Sequence, residues 1–155
     1  KGRHRQFDWI VKLDADTVFS PGRLRQVLQR RSPQEPVFLM NQRYPGGPDE
    51  LTGAIEVYSR GAVKALGDGM HRCPWPSPAV DSEDQHMYHC LAHVLRARSS
   101  SEPVLLSPLP LGGRVAVHPV KDRARFARCV ERFDTCIPDL LCIPDSLKAL
   151  LAPKT

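Results

Sequence analysis

The chain has 155 residues, 41% of them hydrophobic and 25% charged, with a formal net charge of +5. That length and balance suit a globular domain with a real core and exclude a disordered or fibrous chain. No run of about 18 apolar residues exists to form a membrane-spanning helix, and an aromatic content of 6% without a recognition motif argues against nucleic acid as the counterpart of the positive charge.

Trp9, Val11 and Leu13 alternate with Ile10 and Lys12, which predicts a strand largely covered on both faces. Ser20-Pro21 reads as the N-cap and first position of a helix whose apolar stripe is Leu24, Val27 and Leu28, with its arginines facing outward. PVFLM (residues 36–40) is a second strand, and NQRYPGGPDELTG a loop rich in Pro and Gly. AIEVYS (residues 54–59) is a third strand of alternating character, followed by a short helix RGAVKALG that Gly67 stops. The prolines around Trp75 forbid regular structure. Ser82 with Gln85 matches a capping box, and Met87, Cys90, Leu91, Val94 and Leu95 form the buried face of the helix it opens. RARSSSEP is a polar loop, and GGRVAVHP a turn, a short strand and a stop. KDRARFARCVERF is a basic helix with Phe126, Ala127, Val130 and Phe133 inward. Strands alternating with helices indicate an α/β domain, expected to span 1–135 with a C-terminal tail at 136–155.

The five cysteines (Cys73, Cys90, Cys129, Cys136 and Cys142) form no CxxC pair. They are compatible with disulfides in an oxidising lumen or with buried free thiols, and the odd count leaves at least one unpaired within the chain. No signal peptide is visible. Beginning at Lys1, the sequence reads as a piece of a longer protein, with any targeting segment upstream.

The apolar run ends in Asp14-Ala15-Asp16, and strand ends are where open α/β sheets bind ligands. Two carboxylates one residue apart point to the same side of an extended chain and repel each other unless a cation lies near. A hard divalent ion such as Mg²⁺ or Mn²⁺, which also binds substrate phosphates, meets that need. The plainer alternative is a turn in which Asp bonds its own backbone.

DADTV satisfies the D-x-D-x-T/V pattern of the haloacid-dehalogenase phosphatases, in which the first Asp is a nucleophile and the second an acid. Those enzymes also need a later acidic pair like G-D-x-x-x-D, and Gly67-Asp68 leads into GMHRC without one. A longer resemblance runs from Phe7 to Cys129. FDWIVKLDADTVFSPGRLRQVL, GAIEVYSRGAVKAL, SEDQHMYHCL and VAVHPVK resemble, in order, four segments of the inverting β-1,3-glycosyltransferases, the fringe and core-1 galactosyltransferase group. This chain departs from their pattern at Ala15, at Ile55 followed by Glu56, and at His89. Donor and acceptor identities therefore do not carry over.

The resemblance implies an A-type glycosyltransferase fold, a mixed sheet flanked by helices, with the N-terminal nucleotide-binding βαβ half missing. It implies an enzyme moving a sugar from a nucleotide-sugar donor to a hydroxyl of a glycan or glycoprotein acceptor. Mn²⁺ (or Mg²⁺) would be held by Asp16 and His118, with Asp14 supporting the nucleotide ribose or the metal shell. Asp84 matches the catalytic base, with Glu83 beside it; Trp75, Glu56 and Gly53 fall on the acceptor side. Location in the Golgi lumen, through a membrane anchor upstream of the chain, also follows from the resemblance. An aspartyl-phosphate phosphatase of the haloacid-dehalogenase type and a degenerate, non-catalytic transferase domain are the alternatives.

Each residue has a plainer reading. Asp84 and Glu83 complement a helix dipole. His118 is a loop residue, Lys121 a surface cation, Trp75 a loop anchor and Glu56 a solvent-facing strand carboxylate. His86, His89 and His93 share one side of a helix and are read as a solvated face rather than a zinc site.

Overall fold

In the computed structural model, which describes residues 6–43, 49–73, 82–107 and 114–133, the run WIVKL forms strand β1 (Trp9–Leu13). It is followed by β2 (Val18–Phe19), α1 (Pro21–Leu28), β3 (Val37–Met40), β4 (Gln42–Arg43), β5 (Asp49–Glu50), β6 (Ile55–Ser59) and α2 (Arg60–Gly69). Then come α3 (Glu83–His89), which runs on as a π-helical turn Cys90–Val94, β7 (Arg98–Ser101), β8 (Leu106–Ser107), β9 (Ala116–Val117) and α4 (Arg123–Arg132). The architecture is mixed α/β and divides into two units, Lys1–Leu13 with Arg30–Pro103, and Asp14–Gln29 with Val104–Thr155. The expected tail at 136–155, Trp75, Cys136 and Cys142 lie outside the described residues. Among the described residues no helix is long and apolar enough to cross a membrane.

The first unit is built on a mixed sheet of order β1-β6-β3-β7, antiparallel except for the parallel β3–β7 pair. Phe38, Met40 and Tyr58 on one face pack with Ala62 and Leu66 of α2 and with Cys73, Cys90, Leu91 and Ala97. Phe38 and Leu91 are wholly buried, each contributing about 1.5–3 kcal/mol by leaving water. A disulfide joins Cys73 to Cys90 within this core, their Cα atoms 5.5 Å apart. Closing a loop of that order stabilises the fold by roughly 3 kcal/mol. Cys129, in the other unit, is disulfide-bonded as well.

Several elements differ from the sequence reading. β6 does not alternate: every residue from Ile55 to Ser59 is buried. As an inner strand between β1 and β3 it is covered on both faces, and its polar groups are satisfied internally. The Ser59 hydroxyl donates to Glu35 O at 2.6 Å and accepts from Val37 N and Ala62 N. β1 is only half-buried and, among the described residues, pairs with β6 alone. The polar stretch RSSS is a strand, because parallel pairing with β3 satisfies its backbone. α2 runs through Gly67 to Gly69. Ser82 is the N-cap of α3, but its side chain does not cap the backbone as a capping box requires. His86 is buried, whereas His89 and His93 are exposed and their rings lie 5.2 Å apart.

Gly61 explains itself. A Cβ there would lie 2.2 Å from Gln34 O and 2.6 Å from Glu35 O, and Gly61 N donates to Pro33 O at 2.9 Å. The obstacle is backbone, which cannot swing aside as a side-chain tip can. Gly61→Ala is expected to destabilise the chain by about 2 kcal/mol or more, read as a lower midpoint of urea unfolding. An unchanged midpoint would mean that the 33–35 segment retreats freely.

The second unit holds a sheet of order β2-β9-β8 with α1 and α4. Ser20 caps α1 as expected, its hydroxyl accepting from Arg23 N at 3.2 Å, with Pro21 opening the helix. Arg23 is turned inward, contrary to the expected outward arginines. It donates to Arg114 O and Phe133 O and lies 5.0 Å over the Phe133 ring. Two carbonyls and an aromatic face replace the water it gives up. On α4 the buried stripe is Phe126, Cys129 and Phe133, while Val130 is 55% exposed and Ala127 also faces out. Positions 126, 129 and 133 share one side of a helix, and 127 and 130 fall beside it.

Candidate metal centre

The Asp-Ala-Asp segment forms in the second unit, immediately before β2. Thr17 N donates to Asp14 O at 3.0 Å, closing a turn, so the two aspartates do not lie on the extended chain expected from their spacing. β2 pairs antiparallel with β9, with Val18 opposite Val117 and Phe19 opposite Ala116. Continuing that register one residue outward brings His118 level with Thr17, beside Asp16. Val120 N donates to Asp16 O at 2.9 Å and fastens the segment after His118 to the same place. The His118–Pro119 peptide is cis.

Convergence follows from this pairing. His118 Nε2 lies 3.2 Å from Asp16 Oδ1 and 3.8 Å from Asp14 Oδ2. One donor atom from each of Asp14, Asp16 and His118 falls within 4.8 Å of the others. All three side chains are partly exposed, at 43%, 31% and 27% respectively. Two carboxylates and an imidazole make a mixed oxygen–nitrogen donor set, which fits Mn²⁺ better than Mg²⁺. Beside it is a cavity of about 300 Å³ lined by Ala15, Asp16, Val120, Lys121, Arg123 and Phe126. The intervening Asp122 caps α4, its carboxylate accepting from Arg125 N at 2.7 Å.

The other expected residues lie in the first unit. Asp84, the second residue of α3, accepts from the Ser82 hydroxyl and from Gln85 N on Oδ1, and from Gly53 N at 2.9 Å on Oδ2. Burial alone would push this carboxyl up, but the hydrogen bonds from Ser82, Gln85 and Gly53 outweigh it and hold the pKa below the usual range. Gly53 sits in a loop clamped by the fully buried Asn41. The Asn41 amide donates to Thr52 O and Ile55 O and accepts from Thr52 N and Thr52 Oγ1.

Glu56 is neither at the surface nor facing solvent. It is fully buried, with Lys12 donating to one oxygen and Tyr58 to the other. Burial raises its pKa in spite of these bonds, and burial beside Glu56 also raises that of the Tyr58 hydroxyl. Lys12 donates to Glu83 as well. Burial works to lower the Lys12 pKa, but the bonds to Glu56 and Glu83 prevail and raise it. Lys12, Tyr58 and Asn41 were not singled out from the sequence. The available signals were a lysine within an apolar strand and a polar residue directly after PVFLM.

Neither the protein-family models nor the curated proteins contain a match to this chain. What its sites can do therefore rests on their own geometry: three side chains that could hold a metal ion in one unit, and a hydrogen-bonded carboxylate in the other.

Proposed function

We propose that this chain belongs to a metal-dependent inverting glycosyltransferase that moves a sugar from a nucleotide-sugar donor to a hydroxyl of a glycan or glycoprotein. The observation that carries this reading is the convergence of Asp14, Asp16 and His118 from distant parts of the sequence onto one point. Such a set holds a divalent cation with few protein ligands, leaving positions for phosphate oxygens. A cation bound there supplies positive charge against a diphosphate leaving group. Lys121 and Arg123 line the adjoining cavity and suit the same anionic ligand.

Inversion by a single displacement needs one base. The acceptor oxygen bonds to the anomeric carbon as the carbon–diphosphate bond breaks, and the hydroxyl proton passes to the base. Asp84 serves as that base in this reading, and its hydrogen bonds keep it ionised. The disulfide Cys73–Cys90 is in keeping with an oxidising lumen such as the Golgi.

The test is a titration of the full chain with Mn²⁺, alone and with a nucleoside diphosphate in its uridine and guanosine forms. Weak binding of the ion alone, tightened by nucleotide, is the expected result. Nucleotide binding that is the same with and without Mn²⁺ would overturn the reading.

A further inference from the structure

Lys12 stands on β1 directly across from Glu56 on β6. Facing residues of an antiparallel pair have Cβ atoms about 5 Å apart, so the lysine stem reaches the opposite carboxylate easily. Glu56 is fully buried, and its other oxygen accepts from Tyr58, two residues along and on the same face of the strand. A buried carboxylate with only a phenol for a partner is costly. Lys12 supplies the missing cation, and its ammonium, on a side chain 43% exposed, also donates to Glu83. One ammonium thereby ties the sheet to the first residue of α3.

We propose that Lys12 is a positioning residue: seated on the buried Glu56–Tyr58 pair, it grips Glu83 and so holds the first turn of α3, and with it Asp84, against the sheet. The proposal rests on the reading of Asp84 as the base. Exposed ion pairs usually contribute little, because two long side chains must be ordered to form them. Here Glu56 has already ordered the lysine. The start of α3 also needs an anchor. Ser82 makes no side-chain cap and its hydroxyl goes to Asp84 instead. The second restraint, from Gly53 N to Asp84, comes off the loop that Asn41 clamps. Each of the two adjacent acids is therefore held from the sheet side, Glu83 by a side chain and Asp84 by backbone.

The test compares the full wild-type chain with Lys12→Met, Lys12→Arg and Lys12→Met/Glu56→Gln. The last variant removes the buried charge that Lys12→Met alone would strand. Amide exchange at His86, whose N–H donates to Ser82 O at 3.0 Å, reports opening of the first turn of α3. It is expected to quicken about threefold or more in both methionine variants and to return towards wild type in Lys12→Arg. Transfer turnover should fall about tenfold in Lys12→Met/Glu56→Gln, but the same pair of changes should add nothing to the residual turnover of Asp84→Asn. A merely structural role would cost turnover equally in both backgrounds, and that result, or unchanged exchange at His86, would overturn the proposal. Failure of the transferase reading itself appears separately, as absent Mn²⁺-dependent nucleotide binding in the wild type, and the exchange measurement then decides the Lys12 question alone.

Discussion

Asp84→Asn is expected to lower transfer turnover by about 10²–10⁴-fold while leaving Mn²⁺-dependent nucleotide binding unchanged. The amide keeps the size of the carboxylate and can still accept from Gly53 N, Ser82 and Gln85 N in part, so the fold should survive. What it loses is the ability to take a proton. Glu83→Gln should do less harm, because the Glu83 carboxylate is bonded to Lys12. The pH dependence has a definite sign. Hydrogen bonds hold the Asp84 pKa below its ordinary value. Its contribution to stability is therefore complete above the unfolded aspartate value of about 3.9 and is lost as pH falls through the folded value. The base should likewise be ionised throughout the neutral range, so an acid limb of the rate profile near neutrality would belong to another group. Turnover within a few-fold of wild type in both Asp84→Asn and Glu83→Gln would reduce Asp84 to a structural residue at a helix start.

Asp16→Ala is expected to weaken Mn²⁺-dependent nucleotide binding by about a hundredfold, and His118→Ala by a similar amount. The two donors are 3.2 Å apart and serve one ion in this reading. The double variant should consequently add little to either single change. Without an ion the same contact is only an imidazole–carboxylate pair on the surface, and breaking it would leave nucleotide binding untouched. Isothermal titration of the three variants, each with Mn²⁺ and nucleoside diphosphate, separates the two cases. Unaltered binding in His118→Ala would remove that residue from the centre, and tight Mn²⁺ binding without Asp16 would remove the Asp-Ala-Asp segment with it.

Much of the local structure was legible before any coordinates. Trp9–Leu13, Val37–Met40 and Ile55–Ser59 are apolar runs of strand length, and Ser20-Pro21 announces a helix because an N-cap hydroxyl and a fixed φ act within one turn. The same holds for the Asp-Ala-Asp segment at the end of the first strand, where a short-range pattern suffices to suspect a cation. His118 was reached by resemblance alone, since nothing in VAVHP names its partner.

Tertiary structure decided the rest, because the deciding contacts join residues far apart in sequence. The β2–β9 register, not the spacing of the aspartates, brings His118 to Asp16. The placing of β6 inside its sheet turned Glu56 from a candidate acceptor contact into a buried anchor for Lys12, 44 residues away. Pairing with β3 made a strand of RSSS despite its polar composition. In each case a side chain's hydropathy sets only whether it can be buried, while its neighbours on adjacent strands set whether its polar atoms find partners there. Composition and periodicity fix the first of these. Strand order and register, which no local stretch of this sequence encodes, fix the second.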